Sequence, residues 1–290
     1  MADLLAPPVT GLVRPSVGKQ RVGRQRVGKQ GAGSSRLRVP RLVRRTAGPI
    51  LVIALWQAVC SAHVFTSFEL ASPLAVVDAG RELWAEGALQ AAMLISLQRV
   101  VEGLALGVAA GVTLAVITGL FWAGEDLLDP VIQAARAVPV LGLLPLVIIW
   151  MGVGELPKVF LVALAVTFPV YLNTHAGIRG VDLKLVEAGQ TFGLNRWGLV
   201  RKVILPGALP GFLVGLRFAL VGCWAIIVVA EEINAQSGLG YLIMQAQTTN
   251  RTDIMCLCLA IYAVLGITAD AIVRLLERYL LVWRRGFQGA

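Results

Sequence analysis

Between Glu102 and Glu125 the chain carries no charged side chain, and residues 103–111 of that run are rich in glycine. A helix needs about 20 apolar residues to cross the hydrocarbon of a bilayer, and this run meets that length. Residues 49–65, 137–154, 159–178 and 254–273 form comparable stretches, and 209–230 is apolar except for Arg217. A soluble helix needs only one apolar stripe, so runs that are greasy all round point to lipid as the solvent. Backbone in lipid must satisfy its own hydrogen bonds, which leaves helices or closed barrels, and continuous runs without alternation select helices. The composition agrees, with 57% hydrophobic and 15% charged residues, against about a quarter charged in soluble domains. The expected fold is an all-α membrane protein of about six transmembrane helices over residues 48–285. Gly103–Gly111 and Gly211, Gly215 and Gly222 fit close helix packing in lipid.

The net charge of +9 is unevenly placed. Residues 1–47 hold Arg14, Lys19, Arg21, Arg24, Arg26, Lys29, Arg36, Arg38, Arg41, Arg44 and Arg45 against one acid, Asp3. A near-repeat at 17–30 alternates Val-Gly with Lys/Arg-Gln and has no apolar period, so this stretch reads as a disordered basic tail. Residues 286–290 are a short C-terminal tail. The positive-inside bias then predicts cytoplasmic N- and C-termini. It also puts the 179–208 loop, with Arg179, Lys184, Arg196, Arg201 and Lys202, on the cytoplasmic side, together with Arg274, Arg278, Arg284 and Arg285. Residues 124–130, rich in Glu125, Asp126 and Asp129, run against the trend, but acids count little in that rule.

One charged segment interrupts the apolar pattern: "EAGQTFGLNRWGLVRKVILPG", Glu187–Gly207. Asp182 is placed to cap a short helix over 183–192, and Gly193 supplies the left-handed residue that commonly ends one. Asn195 is placed to cap a second helix over 196–204, which Pro206 and Pro210 are expected to stop. The result is an amphipathic helix–turn–helix at the membrane surface, suited to docking a partner or to lying on headgroups.

The spacing Glu187-Ala188-Gly189, Gly193, Val203, Leu205-Pro206 resembles the EAA motif, the "EAA…G…I-LP" loop of ABC-importer permeases. Gly189 stands for the third-position Ala and Val203 for Ile. "ARAVPVLGLLPLVIIWMGVGELPKVFLVALAVTFPVYLNTHAGIRGVD" (135–182) and "LPGFLVGLRFALVGCWAIIVVAEEINAQSGLGYLI" (209–243) are similar to the nitrate/sulfonate/taurine branch of that family, and the likeness runs from about residue 90 to 285. The resemblance implies a type I importer permease in the bacterial inner membrane. Its coupling loop, here 182–206, would seat in a separate ATPase, with Glu187, Ala188, Gly189, Gly193, Leu205 and Pro206 carrying the coupling. It implies an ATPase dimer, an extracytoplasmic binding protein and a second permease copy as partners. ATP and magnesium would sit on the ATPase and no cofactor on this chain, which has no phosphate-cradling G-x-x-x-x-G-K-[ST] of its own. The cargo implied is an aliphatic sulfonate, taurine or nitrate-like oxyanion, with pyrimidine-type cargo as the alternative.

Ionisable and polar residues inside spans are functional candidates. Arg217 lies about 12 Å past Leu209 at 1.5 Å per residue, so it can snorkel, pair between helices or meet an anionic substrate. Asn173, Thr174 and His175 cluster in one span and can line a pathway or bond neighbouring helices. Glu231, Glu232 and the following Ser237-Gly238 close the fifth span, at the mouth where the family resemblance implies a gate. Arg99 and Arg136 are read as interfacial, and Asp270 and Arg274, four apart, as a helix-surface pair.

Other classes fare worse. The histidines, His63 and His175, are far apart in sequence, and no HExxH, Cys/His set or nucleophile motif occurs, so an enzyme or a metal site is not expected. Cys60, Cys223, Cys256 and Cys258 lie in or beside apolar runs and read as small core residues. A stand-alone carrier usually shows two related halves, and no such repeat is visible. A nucleic-acid or lipid-surface role would rest on the basic tail alone, and no nucleic-acid partner is expected.

Overall fold

The computed structural model describes residues 41–283 apart from 63 and 67, with side chains from 48 onward apart from 49. Residues 1–40 of the expected 1–47 tail and the tail at 286–290 lie outside the described residues, and helix α1 (Arg41–Ser61) begins within the stretch assigned to the basic tail. The described residues are almost wholly helical and contain no strand. After α1 come α2 (Pro73–Ala85), α3 (Ala88–Leu120), α4 (Trp122–Ala135), α5 (Leu144–Met151) and α6 (Glu155–Arg179). The charged segment supplies α7 (Leu183–Thr191) and α8 (Arg196–Leu199), and α9 (Leu205–Asn234), α10 (Leu239–Thr248) and α11 (Thr252–Leu280) complete the chain.

Four helical stretches are long and apolar enough to cross a membrane: α3, α6, Arg196–Asn234 and α11. α4 and residues 140–151, bent by 82°, make a fifth if they cross as one, and Ile50–Ser61 is a shorter apolar helix. Against six expected spans, length and composition therefore support four or five among the described residues. The expected span at 137–154 is the main departure. It resolves into a 3₁₀ turn, Val140–Leu143, and the eight-residue α5. At 1.5 Å per residue α5 covers only about 12 Å. Pro139 precedes the turn, Pro145 opens α5, and Gly152 ends it at φ 79°, so backbone chemistry cuts an unbroken apolar run short.

α6 is the centre of the bundle, packed lengthwise against α3 on one side and α9 on the other. A glycine row on α3 brings the first pair together. A Cβ added at Gly103 would lie 2.5 Å from Val162, at Gly107 2.5 Å from the Ala163 carbonyl oxygen, and at Gly111 2.8 Å from that of Thr167. Gly211 and Gly215 let α9 approach the Asn173 and Pro169 carbonyls in the same way, at 2.5 and 2.7 Å. The expectation of close packing holds at these positions. It does not hold at Gly222, which has nothing within 4 Å. Leu161, Val162, Val166, Val170, Ala219 and Ile227 fill the main core.

A second departure concerns the prolines. Pro206 and Pro210 do not stop the helix; Arg196–Asn234 is one uninterrupted helical stretch. For Pro206 the reason is a widened π turn over Val200–Ile204, in which the Leu205 N–H donates to the Val200 carbonyl five residues back, whereas Pro210 lies within α9. Widening the turn relieves the clash a proline ring makes with the preceding turn of a regular helix. Pro206 then falls in the first turn of α9, where a missing N–H costs least.

Candidate functional site

Two places gather the candidate residues, at opposite ends of the bundle. α6 alone separates them, since Glu155 opens it and the charged segment follows its last residue, Arg179.

At one end stands the helix–turn–helix. The Asp182 carboxylate accepts from the Lys184 N–H at 2.9 Å, and the Asn195 side chain accepts from the Gly198 N–H at 2.7 Å. Both caps fall where the sequence put them. Gly193 takes φ 79°; its N–H donates to the Gln190 carbonyl and the Leu194 N–H donates to that of Gly189. This pair of bonds closes α7 in a Schellman motif. Gly189 is buried against α8, and a Cβ there would come within 2.7 Å of Leu199. In place of alanine, it leaves room for the Leu199 side chain between the two short helices. Glu187 and Ala188 are exposed, Leu205 is partly so, and Pro206 is half-buried. The amphipathic reading did not single out Leu185, Phe192 (86% exposed) and Trp197 (70% exposed), which are left exposed along with Leu183. The signal was the type of residue, two large aromatics on a surface segment, rather than any periodicity.

At the other end lies a buried ionic cluster. Arg99, expected at the interface, is instead only 3% exposed between α3, α6 and the α9–α10 turn. Its Nη1 donates to Glu231 Oε1 and to the Ser237 carbonyl, each at 2.7 Å. Its Nε and Nη2 form a fork on the Glu155 carboxylate, and Nη2 also reaches Ser237 Oγ. Burial about 17 Å into a 33-residue helix is tolerable only because every donor is used. Glu231 is fully buried and equally well served. Ser96 donates to it at 2.8 Å, the Gly240 N–H at 2.9 Å and the Tyr262 hydroxyl at 3.2 Å. Gly238, at φ 111°, allows the turn to lie on the ion pair, since a Cβ there would sit 2.6 Å from Glu231 Oε1. Glu231, Ser237 and Gly238 were singled out in the sequence; Ser96, Arg99, Glu155, Lys158 and Tyr262 complete their surroundings. Lys158 is buried and donates to the Gly154 carbonyl at 2.7 Å and to Glu155 at 3.3 Å.

The remaining candidates separate. Asn173 donates to the Pro169 carbonyl and lines a cleft of about 570 Å³ with Gly177, Gly211 and Trp283. His175 stacks on Tyr171 with ring centroids 5.7 Å apart, and Tyr171 donates to Asp129 at 2.5 Å. Arg217 pairs between helices, with Glu277 at 2.7 Å and Asp270 at 3.2 Å, while Asp270 also holds Arg274 at 2.7 Å. Cys223 and Cys258 are buried and all four cysteines are free. No group of metal-ligating side chains occurs among the described residues.

An all-helical bundle with one surface helix–turn–helix at its end has relatives. Residues 107–282 match the family described as the binding-protein-dependent transport system inner membrane component. The chain belongs to that family. This permease is 44% identical over 239 residues, 82% of its length and 91% of the relative's, to the aliphatic sulfonates transport permease protein SsuC of Escherichia coli (strain K12). It is 40% identical to SsuC of Bacillus subtilis (strain 168), over 83% of its length and 87% of the relative's. With the taurine transport system permease protein TauC of Escherichia coli (strain K12) the identity is 32%, over 86% of the permease and 92% of TauC. In solved structures the fold recurs in an amino acid ABC transporter at TM-score 0.58 and 20% identity, covering 69% of the permease and 97% of that chain. The permease is therefore a membrane-spanning subunit of an ABC importer, of the nitrate/sulfonate/taurine branch.

Proposed function

We propose that two copies of this permease form the translocation pathway of an inner-membrane importer for a small oxyanion, an aliphatic sulfonate or a close analogue. A separate ATPase dimer binds ATP and magnesium and docks on residues 182–206, which face the cytoplasm with both termini. A binding protein on the opposite side delivers the cargo. This chain performs no hydrolysis and binds no cofactor itself.

The observation that carries the reading is the surface of the helix–turn–helix. Its backbone is fixed by two side-chain caps and a Schellman turn, yet Phe192 and Trp197 are left 86% and 70% exposed, and Glu187 is exposed on the same segment. A rigid element that exposes large aromatics together with charged side chains suits a partner groove with an apolar floor and a basic group. Gly193 gives the turn its shape; Glu187, Ala188 and the aromatics supply the contact. The oxyanion reading draws on the sulfonate and taurine permeases to which the chain is similar.

Copurification tests this. Tagged permease, produced in its native host and extracted in mild detergent, is expected to bring down ATP hydrolysis activity. Glu187→Lys or Trp197→Ala is expected to lose that activity while the permease still inserts and purifies. Retention of full activity by both variants would remove the docking role from the segment.

A further inference from the structure

Arg99 holds two carboxylates that differ in how they are kept. Glu231 is 0% exposed and has acceptor bonds from Ser96, Gly240 and Tyr262 besides Arg99, so it cannot leave without stranding buried donors. Glu155 is 61% exposed, at the first position of α6, and touches only Arg99 and Lys158. It lies on the wall of a cleft of about 480 Å³ that is also lined by Ile95, Gln98, Arg99, Glu102 and Ser237.

The arrangement of charge follows from that difference. Arg99 and Lys158 are both buried cations, and Glu231 neutralises one of them permanently. Glu155 neutralises the other from the cleft side. When the Glu155 side chain turns outward into the cleft, the buried groups carry one uncompensated positive charge. The Nε and Nη2 fork of Arg99 then faces open volume. Glu102, the other acid on the wall, is exposed and accepts from Gln98 at 2.8 Å, so solvent screens its opposition. A guanidinium fork that grips a carboxylate through two parallel N–H donors also grips other planar or tetrahedral oxyanions through two oxygens.

We propose that Arg99, backed by Lys158, is an oxyanion seat at the end of the bundle opposite the helix–turn–helix, and that Glu155 fills it with its own carboxylate until an anionic substrate displaces it. The proposal rests on the reading of this permease as an oxyanion importer. Glu155 acts as a tethered competitor. It keeps the buried cations paired when no cargo is present and sets the affinity of the seat low enough for cargo to leave again. The +1 left by Arg99, Lys158 and Glu231 suits a monoanion rather than a neutral or cationic solute. Ser237, whose carbonyl and hydroxyl both touch Arg99, couples occupancy of the seat to the α9–α10 turn.

The test is anion binding by the full-length permease in uncharged detergent, read as the midpoint of thermal unfolding. Ethanesulfonate is titrated against choline chloride at constant ionic strength. The wild type is expected to show a sulfonate-dependent rise. In Glu155→Gln the rise should half-saturate at about tenfold lower concentration, because a tethered carboxylate acts at an effective concentration in the millimolar range. Lys158→Gln is expected to weaken binding, and Arg99→Lys, which keeps the charge but not the fork, to abolish it. Should the Arg99 variant fail to fold, the comparison of Glu155→Gln with wild type still decides. Equal half-saturation in the two proteins, or no shift beyond that of chloride in either, overturns the seat. The assay needs no ATPase. An ATPase that copurifies without sulfonate binding therefore removes the seat and leaves the importer, whereas binding without any ATPase does the reverse.

Discussion

The guanidinium of Arg99 and the carboxylate of Glu231 meet at 2.7 Å although they lie 132 residues apart, one on α3 and one near the end of α9. Between them they account for much of the polar bonding at that end of the bundle. Removing one partner from a fully buried pair typically costs about 3–5 kcal/mol, chiefly because the other charge is stranded. Arg99→Gln is therefore expected to lower the thermal unfolding midpoint of the detergent-solubilised permease sharply. The double variant Arg99→Gln/Glu231→Gln should recover part of the loss. A double variant worse than the sum of the singles would show that the charges themselves are not what the cluster holds in balance.

Arg217 provides the contrast. It too pairs with two acids, Asp270 and Glu277, but its side chain is 37% exposed. Its partners Asp270 and Glu277 are 30% and 26% exposed, against 0% for Glu231. Arg217→Gln is therefore expected to lower the unfolding midpoint less than Arg99→Gln, and an equal loss would contradict this account of burial.

The contact between α3 and α6 depends on the absence of side chains. Gly107→Val would drive a branched carbon into the Ala163 carbonyl and Val166, 2.5–2.6 Å from the added Cβ. Overpacking of this kind costs about 1–3 kcal/mol, read as a lower midpoint and a poorer yield of monodisperse protein. Gly222→Ala meets nothing within 4 Å; it is expected to be neutral or to stabilise by up to about 1 kcal/mol through helix propensity.

Gly238→Ala combines two faults. The backbone at φ 111° is one that side chains rarely adopt, and the new methyl would press on Glu231 Oε1 and Arg99 Nη1 at 2.6 and 2.7 Å. The α9–α10 turn is expected to lift off the ion pair, seen as faster amide exchange at Leu239 and Gly240, whose N–H groups now donate to Ser96 and Glu231. Unchanged exchange at both amides would argue against that picture.

At the other end, Gly189→Ala should be a mild change. The methyl meets the terminal Cδ2 of Leu199 on α8 at 2.7 Å, so that side chain must turn aside while the membrane helices are untouched. The expected result is a normal midpoint with at most a small loss of ATPase activity in copurification.

What the sequence disclosed, and what it hid, follows the range of the interactions. Asp182, Gly193 and Asn195 act on backbone groups within five residues, so their roles could be read from spacing alone. Pro206 was misjudged because a π turn four residues earlier changes the register into which the ring must fit. Asn173, Thr174 and His175 look like one polar cluster on paper, but successive helical residues point about 100° apart. They end on different sides of α6, Asn173 in a cleft and His175 on Tyr171. Glu231, Ser237 and Gly238 were conspicuous by type. Their partner Arg99 was not, because nothing in a single sequence states the register of α3 against α9.

The π turn at Val200–Ile204 has one more consequence. By letting the chain pass through Pro206 without a break, it makes the outward-facing Trp197 and the buried Glu231 parts of the same uninterrupted helical stretch, Arg196–Asn234. At 1.5 Å per residue the helical path between the two residues is about 50 Å long. No loop therefore lies between the exposed aromatic of the surface segment and the carboxylate that holds Arg99.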